Sequence, residues 1–431
     1  METVVARPIV IEALDRRFQE ALIRVPVLRR RAEAEGITRV RSLEDVVPLL
    51  FPHTVYKSYP ASLLTEGRWV QMNRWLDSTS ADRIDVEVSG VSDVDGWSER
   101  LGAAGHFITS SSGTTGKSSF LHKSQADLDA ATKNMLDHLR TTGVAGDNSW
   151  HMISLGADNQ SASRRPMQEE FERDFARSDN IAPFPSPPQA EGHYAFMTRM
   201  TGFRRAMAEG TVTPEELQAH EAEAMRRDQE TKSRLSYYAA QVLERPGDSF
   251  LIGTMMALAW RFVEELRELG AKPGDLTGDN AIFMAGGTKG VVLPPDHVPQ
   301  ILSMLHIDPT RFVQFYSMQE INLGMPRCIE DRYHVPDQLL LLVLDEPGEK
   351  LESISDCQTE GRAAFFDVSV DGRWGGIISG DRIRAEYGMC PCGRPGPTVF
   401  SDIVRYSGLS NDDKITCAGT MDAYVRGLVE D

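Results

Sequence analysis

Apolar residues follow two spacings along this chain, one typical of helices and one typical of buried strands. Helical spacing, with apolar positions three and four apart, runs through residues 10–35, 124–143, 213–243 and 252–270. Pro26 interrupts the first of these stretches, where it would break a continuous helix. We therefore predict four helical regions, the first of them broken.

Two of the predicted helices carry signals at their ends. Ser124 is an N-cap residue, and Asp127 stands three residues later, at the spacing of a capping box. Gly143 is a natural stop for this helix. Pro214 stands at the start of the third helical region, where proline is tolerated. These signals bound both helices.

Short apolar runs bounded by glycine or polar residues predict buried strands. They occupy residues 150–156, 281–287, 311–318, 339–345 and 364–370. Strands that alternate with helices indicate an α/β protein with layered sheets and helices, and the final third is richer in β-structure.

The remaining stretches are polar or mixed. We expect residues 40–64 to form a short helix and an extended segment, 77–100 an irregular surface segment, and 157–192 a long excursion. Residues 1–100 are expected to be the helical and irregular part of one large domain, and 101–431 its core.

Composition narrows the class of protein. The chain has 431 residues, of which 41% are hydrophobic, enough for a sizeable core. A net charge of -17 argues against a nucleic-acid partner, since phosphate backbones attract basic surfaces. There is no membrane-spanning apolar run and no signal peptide, and five cysteines do not make a disulfide scaffold. We expect a soluble cytoplasmic protein with no membrane partner.

The most distinctive chemistry lies at residues 109–117. An apolar strand, His106 to Ile108, runs into small hydroxyl and glycine residues and then a lysine. Such a loop exposes backbone N–H groups beside a positive charge, as a phosphate cradle does. It is not a Walker A sequence, since the first glycine position holds Ser111; a flexible polar linker is the alternative. The residues of the loop are Ser111, Ser112, Gly113, Thr114, Thr115, Gly116 and Lys117.

The order Ser-Ser-Gly-Thr-Thr-Gly-Lys resembles the phosphate loop of adenylate-forming enzymes, the superfamily of acyl-CoA synthetases, adenylation domains and firefly luciferase. A second segment, Gly286-Gly287-Thr288, follows a predicted strand. Alone it is a weak signal, because a Gly-Gly pair in this position is more often an ordinary turn. The resemblance implies that it lies against adenine, and its Gly-Gly-x-Lys form is similar to the acyl-protein synthetases of bacterial bioluminescence.

Two further segments match the superfamily in order. Tyr316 and Glu320 match its Tyr-Gly-x-Thr-Glu, while Ser317 and Gln319 depart from it. The resemblance implies that Tyr316 and Ser317 lie near adenine and that Glu320 holds Mg²⁺, for which a carboxylate is a suitable ligand. Asp381, preceded by Ser379-Gly380, matches the aspartate that accepts hydrogen bonds from the ribose hydroxyls. Taken singly, each segment is also compatible with a surface turn.

The cysteines form a separate constellation. The run from Cys390 and Cys392 to Arg394 resembles the Cys-x-Cys-Gly-Arg of the phenylacetate–CoA ligase branch, and Cys328 and His334 lie upstream. Three thiolates and one imidazole would complete a tetrahedral structural zinc site. The alternative is four unrelated residues in a reduced protein.

The C-terminal part departs from the superfamily. The resemblance implies a hinge near Asp412 and Asp413, with Arg405 close by, but the hinge Gly-Arg is replaced by Leu409-Ser410. We expect the small lid domain that follows such hinges to be absent. Cys417 is a candidate acyl acceptor by resemblance to the acyl-protein synthetases, with an inert buried thiol as the favoured alternative.

The resemblance implies an ATP- and Mg²⁺-dependent enzyme that forms an acyl- or aryl-adenylate from a small carboxylic acid. Lys117, Thr114, Thr115 and Glu320 would neutralise charge while the carboxylate displaces pyrophosphate from the α-phosphorus. The acyl group would pass to CoA, a carrier protein or an acyl reductase. A catalytically inactive relative that binds nucleotide or a partner is the main alternative. A P-loop phosphotransferase is disfavoured, because the first Walker glycine and a clear Walker B strand are missing.

Overall fold

A computed structural model describes residues 8–111, 117–157, 161–186, 192–285, 291–409 and 415–430. Within these ranges the helices are α1 (Pro8–Arg24), α2 (Pro26–Glu35), α3 (Leu43–Val46), α4 (Ser62–Thr65), α5 (Trp69–Thr79), α6 (Val94–Ala103), α7 (Gln125–Thr141), α8 (Arg165–Phe175), α9 (His193–Glu209), α10 (Pro214–Leu243), α11 (Met256–Glu268), α12 (His297–Met304), α13 (Tyr406–Leu409) and α14 (Ala418–Glu430). Short 3₁₀ helices span Val47–Leu49 and His53–Lys57.

The described strands are β1 (Phe51–Pro52), β2 (Phe107–Ser111), β3 (Ser119–Lys123), β4 (His151–Ser154), β5 (Phe250–Thr254), β6 (Asn280–Ala285), β7 (Ile307–Tyr316), β8 (Met325–Pro326), β9 (Arg332–His334), β10 (Leu339–Leu344), β11 (Gln358–Asp367), β12 (Gly376–Glu386), β13 (Thr398–Phe400) and β14 (Val404–Arg405). No helix in the described ranges combines the length and apolar character that crossing a membrane requires.

A five-stranded sheet carries the middle of the chain. Strands β4, β5, β6 and β7 are parallel in that order, and β8 pairs antiparallel with β7. Helices α10, α11 and α12 cover one face, packing on residues such as Ile252 and Ile282. Helices α7 and α8 cover the other, packing on Leu251 and Val313. Coverage of both faces is what a parallel sheet requires, since its strands are apolar on both sides.

A seven-stranded sheet is built mostly from the last third of the chain. Strands β10, β11, β12, β13 and β9 are antiparallel neighbours, while β1 and β14 also pair with β12. The hairpin β2–β3 and the N-terminal helices share one hydrophobic core with this sheet. Trp374, for example, stacks edge-on against Phe18 of α1 and Phe366 of β11. The N-terminal hundred residues are thus packed against the C-terminal third.

Elements with explicit local signals form as predicted. The first helical region is broken into α1 and α2 at Pro26. Ser124 and Asp127 form a complete capping box at the start of α7. Helix α10 begins at Pro214, with a second capping box between Thr213 and Glu216.

The prediction that 77–100 is irregular was wrong at both ends of this range, although the residues between α5 and α6 are irregular. Helix α5 extends to Thr79, and Asp93 caps a new helix, α6, at Val94. Trp97 of α6 is fully buried and donates a hydrogen bond of 2.8 Å to Asn73. The apolar positions of α6 have helical spacing, but they are few among polar neighbours, so the pattern is inconspicuous in the sequence.

Two other predictions need correction. The excursion 157–192 contains α8, whose Phe171 and Phe175 are buried against the five-stranded sheet. The helix predicted for 252–270 begins only at Met256, because Phe250–Thr254 form the parallel strand β5. A strand buried on both faces has no alternation to distinguish it from the apolar helix that follows it.

Candidate active site

The parallel strands of the five-stranded sheet end at one edge, where several predicted site residues lie. Ala285 at the end of β6 pairs with Phe315, so β6 ends beside the Tyr316 terminus of β7. Ligands of open α/β sheets bind outside the carboxyl ends of the strands. The predicted adenine residues Gly286, Gly287 and Thr288 follow β6 directly and lie outside the described residues.

Tyr316 and Asp381 meet at this edge, although they are 65 residues apart. The Tyr316 hydroxyl donates a hydrogen bond of 2.8 Å to Oδ2 of Asp381. Nε of Arg405 lies 3.2 Å from the other carboxylate oxygen, because Arg405 on β14 is paired with Asp381 on β12. Burial and the Asp381 charge raise the pKa of Tyr316, so its hydroxyl stays protonated and remains a donor.

Local hydrogen bonds explain the position of Asp381. Ser379, which replaces the threonine of the superfamily pattern, donates from Oγ to the Ala363 carbonyl at 2.8 Å. The same oxygen accepts a hydrogen bond of 3.1 Å from the Asp381 amide. The Asp381 side chain is only 8% exposed, whereas that of Arg405 is 61% exposed. Ser317, next to Tyr316, is also exposed.

Glu320 follows β7 by four residues and is half-buried. Burial raises the pKa of its carboxyl group above the usual value. Its backbone carbonyl accepts a hydrogen bond of 2.9 Å from the buried Arg373. Mg²⁺ is held in proteins by one or two carboxylates together with phosphate oxygens. A single carboxylate at the edge where the strands end fits that role.

The hairpin β2–β3 presents the predicted phosphate loop. Ser111 is the last residue of β2, and its hydroxyl lies 2.6 Å from that of Ser119 on β3. The two strands pair up to Ser111 and Ser119, so the hairpin is regular on both sides of the loop. The predicted residues Ser112, Gly113, Thr114, Thr115 and Gly116 lie outside the described residues.

Lys117 lies at the start of the returning arm of this hairpin. Its ammonium group donates a hydrogen bond to the Tyr59 carbonyl and lies 4.1 Å from the centroid of the Tyr59 ring. The Tyr59 hydroxyl donates a hydrogen bond of 2.8 Å to the Ser118 carbonyl. The chain around Tyr59, for which the sequence predicts only an extended segment, therefore packs against the residues that follow the predicted phosphate loop.

The four predicted metal ligands converge. The donor atoms of Cys328, His334, Cys390 and Cys392 all lie within 4.8 Å of one another. Sγ of Cys328 is 3.9 Å from Sγ of Cys390, and Sγ of Cys392 is 3.3 Å from Nε2 of His334. Tetrahedral zinc with bonds of about 2.3 Å to sulfur and 2.0 Å to nitrogen separates its ligands by about 3.5–3.8 Å. The donor set and its spacing fit zinc.

This cluster links separate parts of the fold. Cys328 lies between β8 of the five-stranded sheet and β9 of the seven-stranded sheet, and His334 is the last residue of β9. Cys390 and Cys392 lie between β12 and β13. The Cys390 amide donates to the Arg394 carbonyl at 2.9 Å, which folds the second pair into a tight turn. Burial and the Arg394 charge lower the pKa of His334 to about 4, so its imidazole is neutral at pH 7. Neutral imidazole is the form that ligates metals.

Cys417 immediately precedes α14 and is half-buried. Burial raises the pKa of its thiol above the ordinary value. A protonated thiol is a poor nucleophile. The environment therefore favours the inert interpretation of this cysteine over that of an acyl acceptor.

No family model matches the sequence, and no curated protein does. The solved structures that resemble the fold include two of 2-hydroxyisobutyryl-CoA ligase in complex with 2-HIB-AMP and CoA. The open conformation matches 92% of this chain and 68% of that one, at 15% identity and a TM-score of 0.51. The thioesterification state matches 92% and 67%, at 15% identity and a TM-score of 0.52. The chain thus has the fold of adenylate-forming ligases.

Proposed function

We propose that this protein activates a carboxylic acid as an acyl-adenylate. The observation that carries the proposal is the meeting of Tyr316 and Asp381 at the carboxyl edge of the five-stranded sheet, with Glu320 four residues further on. In a fold shared with ligases that were crystallised with an acyl-AMP, this edge is where a nucleotide would bind.

Each residue has a distinct role in the proposal. Asp381 accepts hydrogen bonds from the ribose hydroxyls, and Tyr316 holds that carboxylate in place. Lys117 and the hydroxyls of the loop bind the phosphates, and Glu320 holds Mg²⁺, which when bound neutralises phosphate charge. The substrate carboxylate attacks the α-phosphorus, the bond to the β-phosphate oxygen breaks, and pyrophosphate leaves.

The proposed acyl acceptor is the thiol of CoA. Both structural neighbours are CoA ligases crystallised with CoA. A carrier protein or an acyl reductase is a less supported acceptor, because neither is present in those complexes. In that transfer the thiol sulfur forms a bond to the acyl carbon, the bond from that carbon to the phosphate oxygen breaks, and AMP leaves, while the thiol proton goes to solvent.

Exchange of labelled pyrophosphate into ATP, dependent on an added carboxylic acid, tests the activation step. A panel of short aliphatic, hydroxylated and aromatic acids should include at least one that supports exchange. Lys117→Ala should abolish it, while Lys133→Ala, which removes a lysine whose side chain is 75% exposed on α7, should not. ATP binding without exchange for every acid would instead support the inactive alternative.

We also propose that Cys328, His334, Cys390 and Cys392 bind a structural zinc ion. Purified protein should contain one zinc per chain, and Cys392→Ser should lose it together with thermal stability. Cys357→Ser is the matched control, because Cys357 is a free cysteine that does not belong to the cluster. Wild-type protein without stoichiometric zinc would refute this assignment.

A further inference from the structure

A group of buried charged and polar side chains lies between hairpin β2–β3 and residues 319–323, which follow β7 and include Glu320. We call this hairpin the phosphate hairpin, because it leads into the predicted phosphate loop. The members of the group are at most 5% exposed, which is rare for such side chains. They come from three places: the junction of β3 and α7, the segment after β7, and the end of β11 with the turn that follows. We call this group the buried charge cluster; it consists of Lys123, Asp127, Asn322, Asp367 and Arg373.

Asp127 joins these three places through its carboxylate. Besides capping α7, it accepts hydrogen bonds of 2.8 Å from the Asp371 amide and 2.9 Å from the Gly372 amide. It also accepts one of 2.8 Å from the side-chain amide of Asn322. These hydrogen bonds fix the N-terminus of α7 to the segment after β7 and to the turn after β11.

Arg373 spans the distance between the hairpin and Glu320. Its side chain is completely buried, and Nη1 lies 3.8 Å from Oδ2 of Asp127. Nη1 donates to the His122 carbonyl of β3 at 3.0 Å. Nη2 donates to the Glu320 carbonyl at 2.9 Å. One planar guanidinium group therefore sets how far the Glu320 backbone lies from the phosphate hairpin.

The rest of the cluster holds the residues on either side of Glu320. Nη2 of Arg373 also approaches the Gln319 carbonyl at 3.4 Å. Lys123 donates to the Ile321 carbonyl at 3.4 Å and to Oδ1 of Asn322 at 3.0 Å. Asp367 accepts hydrogen bonds of 2.7 and 3.1 Å from the amides of residues 322 and 323. Every residue from 319 to 323 thus has a backbone group held by the cluster.

Stability alone does not account for this arrangement. Buried ion pairs often stabilise a fold no better than apolar residues of the same volume, because both charges must be desolvated. What the cluster achieves is a fixed geometry, since a hydrogen-bonded guanidinium and carboxylate have few alternative arrangements. The segment fixed most completely is the one that carries Glu320.

We propose that the buried charge cluster positions Glu320 relative to hairpin β2–β3, and that Arg373 is its central positioning residue. This inference rests on the proposed function, because Glu320 is taken as the carboxylate that holds Mg²⁺ on ATP. Loss of the Arg373 bridge shifts Glu320 away from the phosphates while leaving its carboxylate chemically intact. Misplacements of about 1 Å in such sites cost up to about a hundredfold in rate.

Arg373→Lys tests the proposal, because lysine keeps the charge but replaces the two nitrogens that face the His122 and Glu320 carbonyls by a single nitrogen on a flexible stem, so the fixed spacing is lost. The Mg²⁺ concentration for half-maximal ATP–pyrophosphate exchange should rise by about tenfold or more, with little change in KM for the acid. Combined with Glu320→Gln, the substitution should add little, since both act on the same interaction. Unchanged Mg²⁺ dependence, or effects that multiply in the double variant, would overturn the proposal.

Lys123→Met serves as a second variant in case Arg373→Lys does not fold. It replaces a buried lysine by an uncharged side chain of similar shape, which removes the hydrogen bonds to Ile321 and Asn322 and the positive charge near Asp127 but keeps the Arg373 bridge. A smaller rise in the Mg²⁺ requirement is expected, and no rise would count against the proposal.

Asp15→Asn controls for general destabilisation. Asp15 of α1 is also a buried carboxylate, bound to the Arg39 side chain at 2.7 Å and the Val40 amide at 2.9 Å. This variant should lose stability without a change in Mg²⁺ dependence.

Direct measurement of Mg·ATP binding separates the two proposals. If wild-type protein binds Mg·ATP but supports no exchange, the proposed function fails, and the Mg²⁺ dependence of binding still tests Arg373→Lys. If wild-type exchange is normal and the variants keep their Mg²⁺ dependence, only the positioning role fails. Wild-type protein that binds no Mg·ATP overturns both.

Discussion

Replacing Asp381 by asparagine removes one negative charge at the junction of the two sheets and changes little else. Tyr316 and Arg405 each contact one carboxylate oxygen, at 2.8 and 3.2 Å. A carboxylate has about four acceptor positions, so about two remain for the ribose hydroxyls of ATP. In Asp381→Asn one oxygen persists as a neutral acceptor for Tyr316, and we expect the fold to survive.

The energies of hydrogen bonds to charged and to neutral acceptors set the expected loss of nucleotide selectivity. A hydrogen bond to a charged acceptor contributes about 1.5–3 kcal/mol, against about 0.5–1.5 kcal/mol for a neutral pair. Wild-type enzyme should therefore prefer ATP over 2′-deoxy-ATP by about 10- to 150-fold in kcat/KM. In Asp381→Asn the preference should fall by about an order of magnitude. The lost ion pair should cost under about 1 kcal/mol of stability, since Arg405 is largely exposed.

The assay is pyrophosphate exchange with ATP, 2′-deoxy-ATP and 3′-deoxy-ATP, measured on wild-type protein and on each variant. Asp402→Asn is the matched control, because it removes a surface aspartate paired at 2.8 Å with Arg384 of the same strand, β12. That variant should retain the wild-type preference. Equal use of ATP and both deoxynucleotides by the wild type, or full discrimination by Asp381→Asn, would refute the assignment of Asp381 to the ribose.

Two further predictions concern the buried charge cluster. Burial alone would raise the pKa of Asp127, but the Arg373 and Lys123 charges hold it at about 2. In the unfolded chain the pKa of an aspartate is about 3.9. The Asp127 carboxylate therefore contributes fully to the stability of the fold above about pH 4, and this contribution is lost as the pH falls through 2. Urea unfolding at fixed pH should show this acid loss, and Asp127→Asn should flatten it; an unchanged slope would contradict the reasoning. A methyl group in Gly372→Ala would lie 2.7 Å from both Oδ2 of Asp127 and the Ser124 amide, so the free energy of unfolding should drop by about 1–3 kcal/mol. Gly202→Ala, in open space on α9, should be neutral or stabilising by up to about 1 kcal/mol, and equal losses in both variants would contradict the steric argument.

The order of residues along the chain predicted those members of the candidate site that belong to segments with a recognisable motif. Tyr316, Glu320 and Asp381 follow the superfamily pattern, and the structure brings Tyr316 and Asp381 into contact. Two of the four zinc candidates, Cys390 and Cys392, stand out by their resemblance to a family motif, and Cys328 and His334 by their residue types upstream; the four donor atoms lie together. The contact of Lys117 with Tyr59 has no signal in the sequence, because it depends on how the N-terminal segment packs on the hairpin.

Secondary structure was predictable where its cause is local. Pro26 divides α1 from α2, and the Ser124–Asp127 box begins α7, because each effect acts within a few residues. Strand β5 was missed, since its identity comes from pairing with β4 and β6 and not from any alternation of its own.

The sequence by itself determined where the helices with a local proline or cap begin, namely α2, α7 and α10. It also predicted the phosphate-loop segment and the residue types of the candidate site. Only the tertiary structure decided that Asp127, predicted as a simple helix cap, also binds Asn322, 195 residues away, and the Gly372 amide, 245 residues away. The physical reason is the range of the interactions. A helix cap is complete within one turn of helix. A buried charge network depends on which distant segments pack together and exclude water, and no short stretch of sequence predicts that packing.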